Sequence, residues 1–343
     1  MNIYGSEGDV TDYLYGTADS DMLVGLGGRD YLFGGDGNDL LVGGAGPDVL
    51  VGGAGFDMAF YLDSTAGVVV DMRTGFGYGG TAEGDVLFEI EGVFGSAFND
   101  VLIGSAGSDE LEGSNGDDLL IGGDGDDYLD GGSDNDILMP GSGADVVVGR
   151  FGNDTVDYSD SLGPVWASLL FRAGYTGDAA GDTYWWIENL SGTAYGDFLQ
   201  GDNDDNTLTG NEGNDFLWGE DGNDKLVGGR GIDTLLGGAG ADTFVWLAPN
   251  ETGATLATAD LISDFDASVD RIDLSAIDAD TKMAGHQALE FIGMGDFTAA
   301  GQVRWTIEGD ETVVWINTDG DLAADAAIRL AGAPLLGSDH FLL

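Results

Sequence analysis

From Gly25 to Phe60 the chain reads GLGGRDYLF, GGDGNDLLV, GGAGPDVLV and GGAGFDMAF, which sets Asp30, Asp39, Asp48 and Asp57 nine residues apart. Each has glycine two residues before it (Gly28, Gly37, Gly46, Gly55), and all but Asp57 have leucine two residues after it (Leu32, Leu41, Leu50), Ala59 being the exception. A helix, with 3.6 residues per turn, has no such period. Glycine adopts positive φ at little steric cost, so GGxGxD makes a tight turn. The three residues that follow suffice for one short strand whose middle side chain points inward. Two nonapeptides then form one coil of a parallel roll, with leucines stacked inside and aspartates aligned along each edge. Those carboxylates lie roughly 4.8 Å apart, one strand spacing, and such rows repel strongly unless cations sit between them. Carboxylate and carbonyl oxygens on flexible loops suit Ca²⁺, which takes about 6 to 8 of them.

The same ruler runs through three blocks. The first carries Asp21, Asp30, Asp39, Asp48 and Asp57. The second carries Asp100, Asp109, Asp118, Asp127, Asp136, Asp145 and Asp154, and the third Asp197, Asn206, Asp215, Asp224, Asp233 and Asp242. Seventeen of these eighteen positions are Asp, and the residue two further on is Leu, Val or Phe everywhere except Ala59, so loop composition alone is a poor explanation. The candidate metal ligands are the aspartates and the turn residues before them. In the first block these are Gly35, Asp36, Gly37, Gly44, Gly46, Gly53 and Gly55; in the second Gly116, Gly123, Asp124, Gly125 and Gly143. In the third they are Gly213, Gly222, Gly229, Gly231, Gly238 and Gly240. Incomplete sites are expected where Asp134 and Asp204 replace the glycine before Asp136 and Asn206, and where Pro140 opens the turn before Asp145.

At these residues the chain resembles the RTX (repeats-in-toxin, hemolysin-type) calcium-binding family, whose motif is GGxGxDxUx. The resemblance implies several bound Ca²⁺ ions, on the order of ten at such a repeat density. The fold expected is all-β: a right-handed parallel β-roll in three blocks separated by two β inserts, with a C-terminal β cap. The boundaries are an entry segment 1–20, block one 21–60, an insert 61–95, block two 96–157, an insert 158–192, block three 193–247 and a C-terminal region 248–343.

Composition narrows the function. The 343 residues include 62 glycines, without the three-residue period and abundant proline of collagen. A net charge of −53 opposes compaction until cations or protons bind, and it excludes nucleic acid as a partner, which needs basic side chains. There is no cysteine, hence no disulfide and no thiol catalysis. The start MNIYGSEGDV has neither a basic nor an apolar signal region, and no apolar run reaches the roughly 18 residues of a membrane span. His286 and His340 stand alone, and there is no HExxH and no GxSxG, so no catalytic residues and no enzyme are expected.

The inserts, Tyr61 to Asp100 and Tyr158 to Asp197, align without gaps at an offset of 97: Ser64 meets Ser161, Gly84-Asp85 meets Gly181-Asp182, and Ile90-Glu91 meets Ile187-Glu188. Each reads as an apolar strand (Val68 to Met72, Val165 to Phe171), a glycine-rich turn, and a strand leading into the next block (Val86 to Phe94, Tyr184 to Leu190). In the second block one outer face is aliphatic (Val101, Ile103, Leu119, Ile121, Ile137, Met139), and the other begins with Glu110, Glu112 and Asp130. The aliphatic row is too apolar to stay wet, so insert strands or a second molecule are expected to cover it.

From about Thr243 the ruler stops. GGAGADTFV, the run Asp260 to Phe265 and the run Asp270 to Ser275 resemble the region after the repeats in serralysin-type secreted metalloproteases. In that family this end carries the uncleaved signal for a type I exporter, and Asp339 to Leu343 resembles its acidic-then-apolar terminus. Strands at Gln302 to Ile307 and Thr312 to Asn317 and a short helix near Leu322 to Ile328 are expected. The expected protein is secreted, folded by extracellular calcium, and acts as a surface-layer, biofilm-matrix or adhesion component that associates with itself. Two alternatives stay open: the secretion module of a larger enzyme or toxin, or a glycan-binding module for cell-surface polysaccharide that uses some of the tryptophans.

Overall fold

The computed structural model describes residues 1–8, 10–280, 285–319 and 321–343. It is an all-β parallel roll whose chain divides into two compact units, 1–158 with 178–187, and 159–177 with 188–343. Among the described residues the helices are single 3₁₀ turns at Gly80–Ala82, Gly177–Ala179 and Ser338–His340, and none is long and apolar enough to cross a membrane.

In the first unit, strands eighteen residues apart pair in parallel: Tyr31 faces Val49, Leu40 faces Met58 and Leu119 faces Ile137. One coil is therefore two nonapeptides, each giving a strand to one of two facing sheets. The inward leucine follows from the two-residue side-chain period. Leu23, Leu32, Leu41, Leu50, Leu111 and Leu120 are fully buried, each worth roughly 1.5–3 kcal/mol of apolar burial.

The first insert does not lie over a face. Its strand Val86–Phe88 pairs in parallel with Val49–Ala54, turns back antiparallel through Phe76–Tyr78 and Val69–Asp71, and passes the sheet to Val101–Ile103. In the facing sheet Gly92–Phe94 joins Met58–Phe60 to Glu110–Asn115. The single strand expected from Val86 to Phe94 is broken because Glu89 takes φ 53°, and Trp186, at the equivalent place 97 residues on, takes φ 53° too. This corrects the expectation that insert strands cover the aliphatic row: the insert extends both sheets edge to edge, and Ile137 of that row stays 45% exposed in the single chain.

In the second unit, Trp166–Ser168, Phe198–Gln200, Phe216–Asp221 and Thr234–Ala239 pair in parallel, then Asp260–Ile262 and Ala326–Ala331. The facing sheet runs Asn189–Ser191, Thr207–Thr209, Lys225–Val227, Thr243–Val245, Arg271–Asp273 and Phe341–Leu342. An antiparallel ladder of Gln302–Glu308, Glu311–Asn317 and Ala326–Ala331 completes this unit. The helix expected near Leu322 to Ile328 is instead the strand Ala326–Ala331. Ala326, Ala327, Ile328 and Leu330 are all buried between two partner strands, and that packing overrides the alanine-rich local preference. The terminal Phe341 is buried and paired with Ile272.

Candidate metal centre

Each repeat aspartate closes its turn and opens the next strand, and it is almost wholly buried, Asp30, Asp57 and Asp145 being 0% exposed. Its backbone N–H donates to Oδ1 of the aspartate one coil further along. The distance is 2.8 Å from Asp21 to Asp39, 2.7 Å from Asp39 to Asp57, 2.9 Å from Asp118 to Asp136 and 2.9 Å from Asp215 to Asp233. The carboxylates thus form rows along the roll edges, one oxygen of each committed to the ladder.

The second oxygen divides the turns into two kinds. In one kind the residue four before the aspartate donates its N–H to that oxygen: Thr17 to Asp21 (2.6 Å), Ser96 to Asp100 (2.5 Å), Ser105 to Asp109 (2.5 Å) and Thr193 to Asp197 (2.6 Å). The hydroxyls of the same four residues donate to the same carboxylates. Asn206 is held likewise by the N–H of Asp202. In the other kind the residue four before has positive φ, between 76° and 114°, which turns its N–H away. There Oδ2 is buried with no hydrogen-bond partner, in Asp30, Asp39, Asp48, Asp57, Asp118, Asp127, Asp136, Asp145, Asp215, Asp224, Asp233 and Asp242. The turn before Asp154 has the same backbone, with Arg150 at φ 76° and Gly152 at φ 154°.

These open turns fit a hard divalent cation. A buried carboxylate oxygen left unpaired costs about 1–3 kcal/mol or more, which a row of them does not sustain without counter-charge. The turn glycines bring backbone carbonyls close: a Cβ on Gly46 would collide with the carbonyl of Gly28, and one on Gly55 with that of Gly37. Among the described residues the Gly28 and Gly37 carbonyls accept no hydrogen bond. No cluster of three or more His, Cys, Asp or Glu side chains is present among the described residues, so the donors are carboxylate oxygens supplemented by carbonyls, the hard-oxygen set of Ca²⁺. Without the ion, burial, aided by neighbouring carboxylates, pushes Asp118 and Asp233 up to about 8 and Asp127, Asp136, Asp215 and Asp224 to about 7. The ladder N–H opposes the rise in each.

The structure sorts the sequence-derived ligands accordingly. Asp21, Asp100, Asp109 and Asp197, read as ligands, have both oxygens engaged by protein donors. The turns before Asp136 and Asp145, expected to be defective, are open: Asp134 itself takes φ 77°, and beyond Pro140 Gly141 and Gly143 take φ 91° and 152°. The deciding position is the fourth before the aspartate rather than the second. The sequence reading missed the residues that end the ladders. Asp48 donates to Asp85, Asp57 to Glu91, Asp145 to Asp182, Asp233 to Asp260 and Asp242 to Asp270. Their signal was the recurrence of Gly-Asp in both inserts and the aspartates in the runs after Asp242.

Two facing parallel sheets wound from an eighteen-residue coil, with orphaned carboxylate oxygens in their turns, define a metal-binding β-roll. Comparison with known families agrees with that class. The description RTX calcium-binding nonapeptide repeat (4 copies) matches within residues 4–59 and 93–159, and Peptidase M10 serralysin C terminal matches residues 201–342. The chain is an RTX calcium-binding repeat protein with a serralysin-like C-terminal region, a secreted calcium-binding module, and neither matched region is catalytic. Among solved structures it is similar to the AlgE6R3 subunit of the Azotobacter vinelandii mannuronan C5-epimerase, with 31% identity, a TM-score of 0.34, and 43% of this chain and 78% of that one covered. The AlgE6R2 subunit of the same enzyme gives 24% identity, a TM-score of 0.31, and coverage of 44% and 89%. Extracellular lipase LipA from Serratia marcescens gives 20% identity and a TM-score of 0.30, covering 71% of this chain and 40% of the lipase. A search of curated proteins finds no match.

Proposed function

We propose that the chain is an extracellular structural or adhesion component, of the surface-layer or biofilm-matrix kind, that leaves the cell unfolded through a type I exporter and associates with copies of itself once calcium has wound it. The winding half of this reading is linkage: an ion that binds the coil and hardly the open chain adds about RT ln(1 + [Ca²⁺]/Kd) per site. The association half rests on one observation. In the first unit Tyr13 stacks on Tyr31 at 4.8 Å and Tyr15 on Phe33 at 5.1 Å, while Tyr13 and Tyr15 are 59% and 63% exposed. Two ordered columns of rings on a sheet face form the kind of apolar patch that marks contact surfaces. Sedimentation in calcium over a range of protein concentration tests it. Species larger than one chain are expected, and their loss in a Tyr13→Ser/Tyr15→Ser variant; a strict monomer at high concentration refutes association.

A further inference from the structure

The acidic face of the first unit departs from the repeat. On its outward positions, successive paired strands present Phe60, Phe94, Glu112, Asp130, Val148 and Trp185. Asp130 stands where a repeat residue would meet solvent, yet it is only 3% exposed. Arg150 reaches back over it, Nε donating to Oδ1 at 2.5 Å and to Oδ2 at 2.7 Å, and the Tyr128 hydroxyl donates to Oδ2 at 3.1 Å. Arg150 holds φ 76° at this place, a conformation that only a minority of non-glycine residues adopt. The carboxylate of this pair is buried while the guanidinium above it stays about half exposed. A buried charge held by one charged partner on a sheet face is weak evidence for stability and the kind of group that concentrates at functional sites.

Around the pair the surface is concave. Because Gly132 has no side chain between Ser114 and Arg150, which stand one coil to either side, a cavity of about 310 Å³ opens there, with Phe94 and Phe151 also on its wall. A second cavity of about 250 Å³, lined by Arg150, Phe151 and Trp186, shares two of those residues. The groove runs across four strand spacings from Phe94 to Trp185, about 19 Å.

We infer that this groove binds a chain of uncharged sugars, with rings lying on the exposed Phe151 and Trp186 and vicinal hydroxyls meeting Glu112 and Arg150, the latter fixed in place by the buried Asp130. The occupant follows from the lining. Aromatic faces pack against the C–H surface of a sugar ring, and Glu112 and the fixed Arg150 guanidinium offer acceptors and donors side by side. A polyanion is repelled by Glu110, Glu112 and Asp130, against which only Arg150 stands in the lining. A metal ion finds the Asp130 oxygens already taken by Arg150 and Tyr128. An apolar segment would strand these charges without water. This site is separate from the exposed Tyr13 and Tyr15 columns and does not depend on self-association.

Affinity electrophoresis and calorimetry in calcium, with dextran, laminarin, mannan and galactomannan as neutral probes and alginate as the polyanion, test the inference. Phe151 and Trp186 are 77% and 62% exposed, so the Phe151→Ala/Trp186→Ala variant is checked for an unchanged circular dichroism spectrum and then compared. Binding of at least one neutral polysaccharide, weakened at least tenfold in that variant and in Glu112→Gln, is expected. No binding to any neutral probe, binding to alginate alone, or binding equal in wild type and variant overturns the inference. So does a concentration-dependent increase in mass, without polysaccharide, that the same variant abolishes, for then the groove holds a second copy.

Discussion

The backbone N–H of Asp48 donates to Oδ1 of Asp85 at 2.8 Å, and the buried Tyr61 hydroxyl holds the other oxygen of Asp85 at 3.1 Å. An insert residue thus ends a ladder begun in the repeats. In Asp85→Ala the Asp48 N–H is left buried and unpaired, a loss of about 1–3 kcal/mol. The denaturant midpoint in saturating calcium is expected to fall accordingly, and Tyr61→Phe to lower it less, by about 1 kcal/mol.

The two kinds of turn differ in what a substitution removes. Asp127→Asn takes charge from an open turn whose Oδ2 has no protein partner, whereas Asp109→Asn alters a carboxylate already held by Ser105. Equilibrium dialysis with calcium is expected to show fewer bound ions, or a site weakened about tenfold or more (about 1.4 kcal/mol), for Asp127→Asn. Asp109→Asn should keep the wild-type count.

In chelator the pH dependence has a definite sign. The folded-state carboxyls of Asp118 and Asp233 are pushed up to about 8, those of Asp127 and Asp215 to about 7, and those of Asp48 and Asp57 to about 6, all above the unfolded value. A raised folded pKa gives stability that is fully present below the unfolded pKa of about 3.9 and lost as pH rises through the folded value. Circular dichroism in excess chelator should therefore show little β signal at pH 8 and a gain as pH falls through 7 and 6 toward 4. Full β content in chelator at pH 8 would sink the linkage between calcium and winding.

The core prediction is independent of metal. Leu120 is fully buried within its coil, and Leu120→Ala is expected to destabilise the calcium-loaded protein by about 2–5 kcal/mol, read from chemical denaturation.

The coil was legible in the sequence because two periods coincide in it: aspartate every nine residues, and an apolar residue, most often leucine, two further on. That fixes strand, turn and inward face together, and Leu32, Leu50 and Leu111 lie where it places them. The inserts were legible as β but not in their placement, because strand pairing is decided by partners far along the chain: Val86–Phe88 reads equally well as a cover or as an edge strand. The distinction between turn kinds was half visible. Gly-Thr and Gly-Ser at 16–17, 95–96, 104–105 and 192–193 mark the closed turns, because a hydroxyl residue there caps the carboxylate. Ser114, at φ 90° in an open turn, breaks that code, since the stacked coils on either side impose its backbone.

Because every aspartate lends its N–H to the carboxylate of the following coil, each stack has a polarity. A coil lost from the amino-terminal side takes its own aspartate donors away with it and strands none of that ladder, although the strand N–H that follows each aspartate, such as that of Leu40 on the Asp21 carbonyl, loses its acceptor. Loss of Asp260 and Asp270 from the second unit instead leaves Asp233 and Asp242 with donors pointing at nothing. For the aspartate N–H groups, then, the carboxyl-terminal residues of the stack are the keystone rather than the trim.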